Sequence, residues 1–326
     1  MEAKDLLKYL ARRIFFMIVA FFAVSLVTFL LMKSVPGTFL TINMAMNNMS
    51  SAADTLGISD QLMTSLTQHF HLNSPWYVQY WFYVSGFLTS HMGNSFEFPD
   101  IPTLSLIERT FPISFSLAFL AVAVSSILAV LLGIIAAMRE NTWVDSSTMF
   151  VAMLGTTIPS YLVAVFLMLI FGVWLHILPI LGINGPQYYV LPVMSLALPI
   201  VSSTSRYMRN SVIESLHSEY IVTVYAKGGS AKHVLFGHAM KNSLLPFITV
   251  VGPQLAGLMM GTVLIESLFG IPGMGSIFVN AAQQRDYPLI MDSTLLYCLV
   301  ILLMNLFVDL LYGVLDPRIR RTGYSS

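Results

Sequence analysis

The stretch IFFMIVAFFAVSLVTFLLM, Ile14 to Met32, carries no charged residue over a length that matches a bilayer. A helix advancing about 1.5 Å per residue needs roughly 20 apolar residues to cross the hydrocarbon core. The polar segment 1–13 precedes it, with Lys4, Lys8, Arg12 and Arg13. A cleaved signal peptide would have a shorter apolar core followed by a small-x-small cleavage site. This run is longer, and no such site follows cleanly, so it reads as a retained spanning helix.

Five further apolar runs lie near 111–138, 147–175, 188–205, 244–268 and 289–312, the last holding Asp309. Pro112 stands at the start of the second run, where a missing amide hydrogen costs little. Pro192 and Pro199 predict a kinked or short fourth span. Composition agrees with a lipid solvent. Hydrophobic residues make up 56% and charged residues 10%, with a mean hydropathy of +0.76, against about 25% charged in soluble domains. The fold class is therefore all-α, a polytopic membrane protein with six transmembrane helices. Sixteen basic and sixteen acidic residues cancel, and net charge points to no nucleic-acid partner. The single cysteine, Cys298, excludes a disulfide within the chain.

Charge placement orients the spans. With the amino terminus inside, Lys4, Lys8, Arg12, Arg13, Arg139, Arg206, Arg209, Lys227, Lys232, Lys241, Arg318, Arg320 and Arg321 are cytoplasmic, whereas only Lys33, Arg109 and Arg285 are outside. That asymmetry follows the positive-inside rule and places both termini in the cytoplasm of a cell (plasma) membrane protein. The organisation is then a cytoplasmic segment 1–13, a first helix 14–32 and an extracytoplasmic lobe 33–109. A five-helix core 110–313 and a cytoplasmic tail 314–326 follow. The lobe is aromatic in its second part, with Trp76, Tyr77, Tyr80, Trp81, Phe82, Tyr83 and Phe87. Such residues favour the membrane interface, and the expectation is a lobe lying on the bilayer.

The inner connection 206–242 holds Glu219 to Ser230, EYIVTVYAKGGS. Gly228 and Gly229 form a helix-stop signal, and Ser230 is suited to cap a new helix. The segment reads as helix, sharp turn, short helix and re-entry at Pro246. A rigid projection of this kind can pass motion to a cytoplasmic partner; a solvated loop with some helix is the plainer alternative. Arg206 and Arg209 lie one helical turn apart, placed to flank that interface or to bind lipid phosphates.

Several chemistries find no residues here. The chain lacks the G-x-x-x-x-G-K-[ST] phosphate loop, so ATP chemistry belongs to another polypeptide. His69 and His71 are the only close histidine pair, and surface polarity explains them better than a metal site. Neither a Ser-His-Asp nor an H-E-x-x-H pattern occurs, so the chain is not read as an enzyme. An ion-coupled carrier generally places ionisable residues mid-membrane. Here Glu266 stands toward the outer end of the fifth span and Asp309 toward the inner end of the sixth. Structural pairing and a gating role are both open for them. Gly257 to Gly261 is a small-xxx-small pattern that permits close helix approach, within the chain or against a second one. Phe269 to Gly275 cannot continue a regular helix and reads as an external turn.

The order of short motifs resembles the membrane subunits of ABC importers of the oligopeptide, dipeptide and nickel group, the OppB/DppB type. The likeness begins with Arg12-Arg13, Pro36-Gly37, Leu72-Asn73-Ser74-Pro75, Gln79-Tyr80 and Gly93-Asn94-Ser95-Phe96. Arg109 to Pro112 resembles the family's approach to the second span, with Phe111 where Leu is more usual. It continues through Tyr225-Ala226-Lys227-Gly228, His238 to Pro246, Glu266 to Phe269 and Pro272-Gly273-Met274-Gly275. Arg285-Asp286-Tyr287-Pro288, Asp309 to Tyr312 and Asp316 to Arg320 close it.

The resemblance implies a type I importer permease forming half of a pathway for di- or oligopeptides. It further implies a homologous second permease, two ATP-binding subunits holding ATP and Mg, and an extracytoplasmic substrate-binding protein. The region of Tyr225, Ala226, Lys227, Gly228, Gly229 and Ser230 resembles the EAA motif, which docks on the ATPase subunit. Thr223-Val224-Tyr225 departs from the usual Glu-Ala-Ala, and Gly229 stands where the group often has a larger residue. Glu266, Arg285 and Asp286 are candidates for a gate or pathway. A secondary transporter or channel is the alternative function.

Overall fold

The computed structural model describes residues 3–35 and 74–315, with side chains over 11–35 and 74–310 except 245, 260 and 261. The His69–His71 pair, Pro36-Gly37, Leu72-Asn73 and Asp316 to Arg320 fall outside the described residues. Among those described, the chain is helical and carries no strand, only an isolated bridge between Asn94 and Pro102. The helices are α1 (Ala3–Ser34), α2 (Trp76–Leu88), α3 (Thr103–Met138), α4 (Trp143–Thr157) and α5 (Ser160–Leu167). Next come α6 (Gln187–Leu216), α7 (Glu219–Ala226), α8 (Ala231–Val234), α9 (Met240–Phe269), α10 (Met274–Gln284) and α11 (Tyr287–Leu315). Wide π turns extend α5 over Met168–Trp174 and join α8 to α9 over Leu235–Ala239.

All six apolar runs are helical over most of their length. By length and composition, four described helices cross a membrane singly: Ala11–Ser34, Thr103–Met138, Gln187–Leu216 and Tyr287–Leu310. Counting each bent helix pair as a span raises the number to seven. Multi-pass insertion follows either way.

Proline gives three outcomes. Pro112 was expected at a helix start, yet it lies inside α3, which begins at Thr103. The polar stretch before it is helical because Thr103 is fully buried and hydrogen-bonded at the helix entrance. The run 147–175 is not one helix. It splits into α4 and a second helix bent by 104°, because Ile158 before Pro159 is extended at φ −97° and ψ 123°. A residue preceding proline is pushed out of the helical region by the ring. The fourth span, expected to be kinked or short, is not short: it is one helix of 30 residues through Pro192 and Pro199. The prolines deprive the Tyr188 and Ser195 carbonyls of a donor, and hydroxyls add side-chain bonds at neighbouring turns. Ser195 donates to the Pro192 carbonyl at 2.7 Å, and Thr204 to the Ile200 carbonyl at 2.6 Å. Neighbouring helices and local side chains are what make proline tolerable within a membrane helix.

The chain forms two compact units. The first, Met1–Ile113 with Pro272–Leu302, is built on an aromatic core of Phe21, Phe29, Tyr83, Phe87 and Phe96 with Met291 and Leu295. The second, Ser114–Ile271 with Leu303–Ser326, packs α4, α5 and α9 around α6. Glycine sets its tightest approaches. A Cβ on Gly155 of α4 would lie 2.5 Å from the Leu198 carbonyl oxygen, and one on Gly133 of α3 would lie 2.7 Å from Met208 Cβ. Gly257, by contrast, has nothing within 4 Å of such a Cβ.

Gly155→Ala should therefore push α4 off α6 and cost about 1–3 kcal/mol, the usual penalty of overpacking. Gly257→Ala should be neutral or slightly stabilising, since alanine is the better helix former. Thermal unfolding of the detergent-solubilised protein checks both; equal melting temperatures for the two variants would refute the contact.

Candidate functional site

The connection between α6 and α9 is a compact helical projection. Ser218 precedes α7 in extended backbone, and Ile221 is buried beneath the helix. Beside Ile221 the helix is open and apolar: Val222 is 67% exposed and Tyr225 49%. Tyr220 is tied back to the start of α9, its hydroxyl accepting from Asn242 Nδ2 at 2.6 Å.

The stop of α7 follows from its two glycines. The Gly229 amide donates to the Val224 carbonyl at 3.1 Å and the Gly228 amide to the Tyr225 carbonyl at 2.9 Å. This pair of bonds is the Schellman motif, which needs a left-handed residue between them. Gly228 supplies it at φ +83°. Gly229 has a different reason: a Cβ there would stand 2.9 Å from both Val224 Cγ1 and the Val224 carbonyl oxygen. Ser230 then caps α8, its hydroxyl accepting from the His233 amide at 3.3 Å. Tyr225, Ala226, Lys227, Gly228 and Ser230 are exposed and Gly229 half-buried, so the structure brings the six together on one ridge.

Arg209 has a partner that spacing could not show. Its Nε donates to Asp145 Oδ1 at 2.6 Å and its Nη2 to Oδ2 at 2.5 Å. Asp145 also accepts from the Asn141 amide at 3.1 Å, with Asn141 left-handed at φ 60°. The bidentate pair fastens the α3–α4 turn to α6. Arg209 is thus engaged within the chain rather than offered to lipid phosphates, while Arg206 remains exposed. Ser243 adds a tie between α6 and α9, donating to the Ser211 carbonyl at 3.0 Å.

The three gate candidates are placed in different settings. Asp286 is buried and caps α11, accepting from the Leu289 amide at 3.2 Å. Its other oxygen accepts from the Ser95 hydroxyl and from the Glu97 amide at 3.2 Å. Burial, and then the Asp286 carboxylate, raise the Glu97 pKa. Arg285 ends α10 in the left-handed region at φ 60° and donates to the Val35 carbonyl at 3.0 Å. Glu266 is buried in the last turn of α9, and its carbonyl accepts from the Ile271 amide at 2.8 Å beside left-handed Gly270. Arg285 and Asp286 share the α10–α11 corner of the first unit; Glu266 belongs to the second.

Asp292, absent from the sequence-derived candidates, is a second carboxylate in the sixth apolar run. It is fully buried and accepts from the Thr103 hydroxyl at 2.6 Å, while the Thr103 amide donates to the Gly93 carbonyl at 3.1 Å. With Ser95 on Asp286, this pins the strap 93–103 to α11. A carboxylate in an apolar helix was the available signal. The second unit also contains an apolar cavity of about 510 Å³ lined by Val130, Phe247, Gly252 and Val308, with Ser126 and Thr249 as its polar groups.

Comparison with known proteins completes the description. Residues 129–321 match a family described as the binding-protein-dependent transport system inner membrane component. The dipeptide transport system permease protein DppB of Bacillus subtilis is 36% identical over 313 residues, 96% of this chain and 98% of that protein. The oligopeptide transport system permease protein OppB of Haemophilus influenzae is 37% identical over 317 residues, 97% of this chain and all of that protein. OppB of Escherichia coli K12 is 36% identical over the same length. A crystal structure of an amino acid ABC transporter with histidines shares the fold, with a TM-score of 0.52 at 12% identity over 66% of this chain and 99% of that one. Full-length likeness to these permeases, together with the matched region, places the chain in the binding-protein-dependent transport system inner membrane component family.

Proposed function

We propose that the chain is the membrane-spanning permease subunit of an ATP-driven importer, forming half of the pathway for di- or oligopeptides. A homologous permease forms the other half, two ATPase subunits bind ATP and Mg, and an extracytoplasmic binding protein delivers cargo. Both termini are cytoplasmic on this reading. The observation that carries it is the open apolar ridge around Val222 and Tyr225, held rigid by the Gly228 turn and backed by buried Ile221. Exposed apolar side chains on a polar connection are the ordinary signature of a protein interface. Two of the relatives described above are named for dipeptide and oligopeptide transport, which supports peptide cargo here.

ATP binding on the partners would draw the ridges of the two permeases together and open the pathway outward; hydrolysis would reverse it. The Asp145–Arg209 pair and the Ser243 tie pass that motion from the ridge into α6, α9 and the α3–α4 turn. Arg285 and Asp286 hold the extracytoplasmic corner, with Glu266 as a second candidate at the gate. The cavity has few polar groups, which supports weak cargo contact and leaves selection to the binding protein.

Gly228→Pro would impose φ near −65° where +83° is required and would remove the amide bonded to Tyr225. The variant complex should insert normally and keep basal ATPase activity, while peptide uptake into proteoliposomes falls at least tenfold. Unchanged uptake would sink the docking role. Val222→Asp should weaken ATPase copurification in mild detergent without altering expression.

Arg209→Ala leaves the Asp145 carboxylate without its bidentate partner, which should cost about 1–3 kcal/mol. Uptake and thermal stability should fall together. The exchange variant Asp145→Arg with Arg209→Asp should recover part of both; no recovery would argue against a paired role.

A further inference from the structure

The contacts between α1 and α2 run in opposite chain directions. Gln79 Oε1 accepts from Lys33 Nζ at 3.1 Å, at the polar end of the first span. The Tyr80 hydroxyl bonds Ser25 Oγ at 2.7 Å and donates to the Phe22 carbonyl at 3.3 Å. Tyr83 packs on Phe29 with ring centroids 6.3 Å apart, and Phe87 on Phe21 at 6.0 Å. Advancing from Tyr83 to Phe87 thus retreats from Phe29 to Phe21, and no long flexible side chain is involved in either contact. From Lys33 to Phe21 is about 18 Å of helix, more than half of a roughly 30 Å hydrocarbon core. A lobe resting on the surface would not meet Phe21.

The outward face of α2 suits that depth. Tyr77, Trp81 and Leu88 share one side, 58%, 57% and 59% exposed, and α2 has no charged residue. This side is continuous in character with the exposed Val24, Val27 and Leu31 of α1.

The tip closes its helix-end carbonyls within the chain, by the same pair of bonds that ends α7, and so meets the condition for a place in hydrocarbon. The Thr89 amide donates to the Ser85 carbonyl at 3.0 Å, the Ser90 amide to Phe87 at 3.3 Å and the His91 amide to Gly86 at 2.9 Å. Ser90 takes the left-handed position at φ 59°, an uncommon conformation for a residue with a Cβ. His91 Nδ1 meets the Thr89 carbonyl at 2.7 Å, and the Thr89 hydroxyl donates to Ser85 at 2.8 Å. An aqueous helix end can leave its last carbonyls to water; one inside a bilayer must satisfy them within the chain.

We infer that α2 and the turn 89–92 form a re-entrant hairpin that dips into the leaflet at the Lys33 end of α1, with Tyr77, Trp81 and Leu88 against lipid acyl chains. It makes the aromatic part of the 33–109 lobe a membrane element and adds a lipid-contact surface to the permease.

Nitroxide labels at Tyr77→Cys, Trp81→Cys and Leu88→Cys, in a Cys298→Ser background, test this in the full importer reconstituted in phosphatidylcholine vesicles. The ratio of oxygen to nickel-EDDA accessibility should rise from position 77 to 88. At 88 it should exceed severalfold that of a Lys232→Cys label in the cytoplasmic loop. High nickel accessibility at 81 and 88 would mean a solvated lobe, and low accessibility to both reagents would mean a protein cover; either overturns the inference. Should the cysteine variants fail to assemble, the difference in tryptophan emission between the unaltered importer and Trp81→Phe serves instead. Lipids brominated along the acyl chain should quench that difference; unquenched emission overturns the inference equally.

Discussion

Within hydrocarbon no water stands by for an unpaired amide or carbonyl, and this rule organises the molecule more than any side-chain contact. It bears on α6, which holds two prolines in its interior. Ser195 and Thr204 hydrogen-bond the Pro192 and Ile200 carbonyls within the helix, which crosses without a break. Helix ends outside the hydrocarbon are closed within the chain as well. Left-handed residues at Gly228, Gly270 and Arg285 each turn the next amide back onto the helix just finished. Where the residue before proline is extended, as at Ile158 before Pro159, the helix gives way.

The same rule governs what could be read from the sequence. The six apolar runs were plain because lipid tolerates little else. The turn at Gly228 was plain because two glycines and a serine leave few alternatives. Proline was not, since an identical residue ends α4, is carried through α6 and stands inside α3. The difference lies in neighbours that three-dimensional packing supplies. Arg285 in a left-handed cap has no local signal, because arginine does not favour that region. The helix α10 beyond the Phe269–Gly275 turn is likewise too short and polar to stand out as an apolar run.

Candidate site residues divide in the same way. The ridge from Tyr225 to Ser230 is contiguous in sequence and stays contiguous in space. The Asp145–Arg209 pair joins positions 64 residues apart, and no periodicity could announce it. Asp292 and Asp286 were harder still. Their partners Thr103 and Ser95 lie 189 and 191 positions away, in a strap whose polar residues look like ordinary loop composition. Carboxylates that look isolated along the chain meet hydroxyl, amide or guanidinium donors once the chain folds, which is how an apolar protein can carry Asp145, Asp286 and Asp292 buried.

Gly133 and Gly155 bring α6 into backbone-level contact with two neighbours. A helix seated by main chain and small side chains depends little on the identity of the bulkier groups around it. Lipid-facing positions of α3 and α4 are then free to drift over evolutionary time, so long as the two notches stay empty. Divergence between lineages should gather on the outer faces of these helices and spare the seat itself.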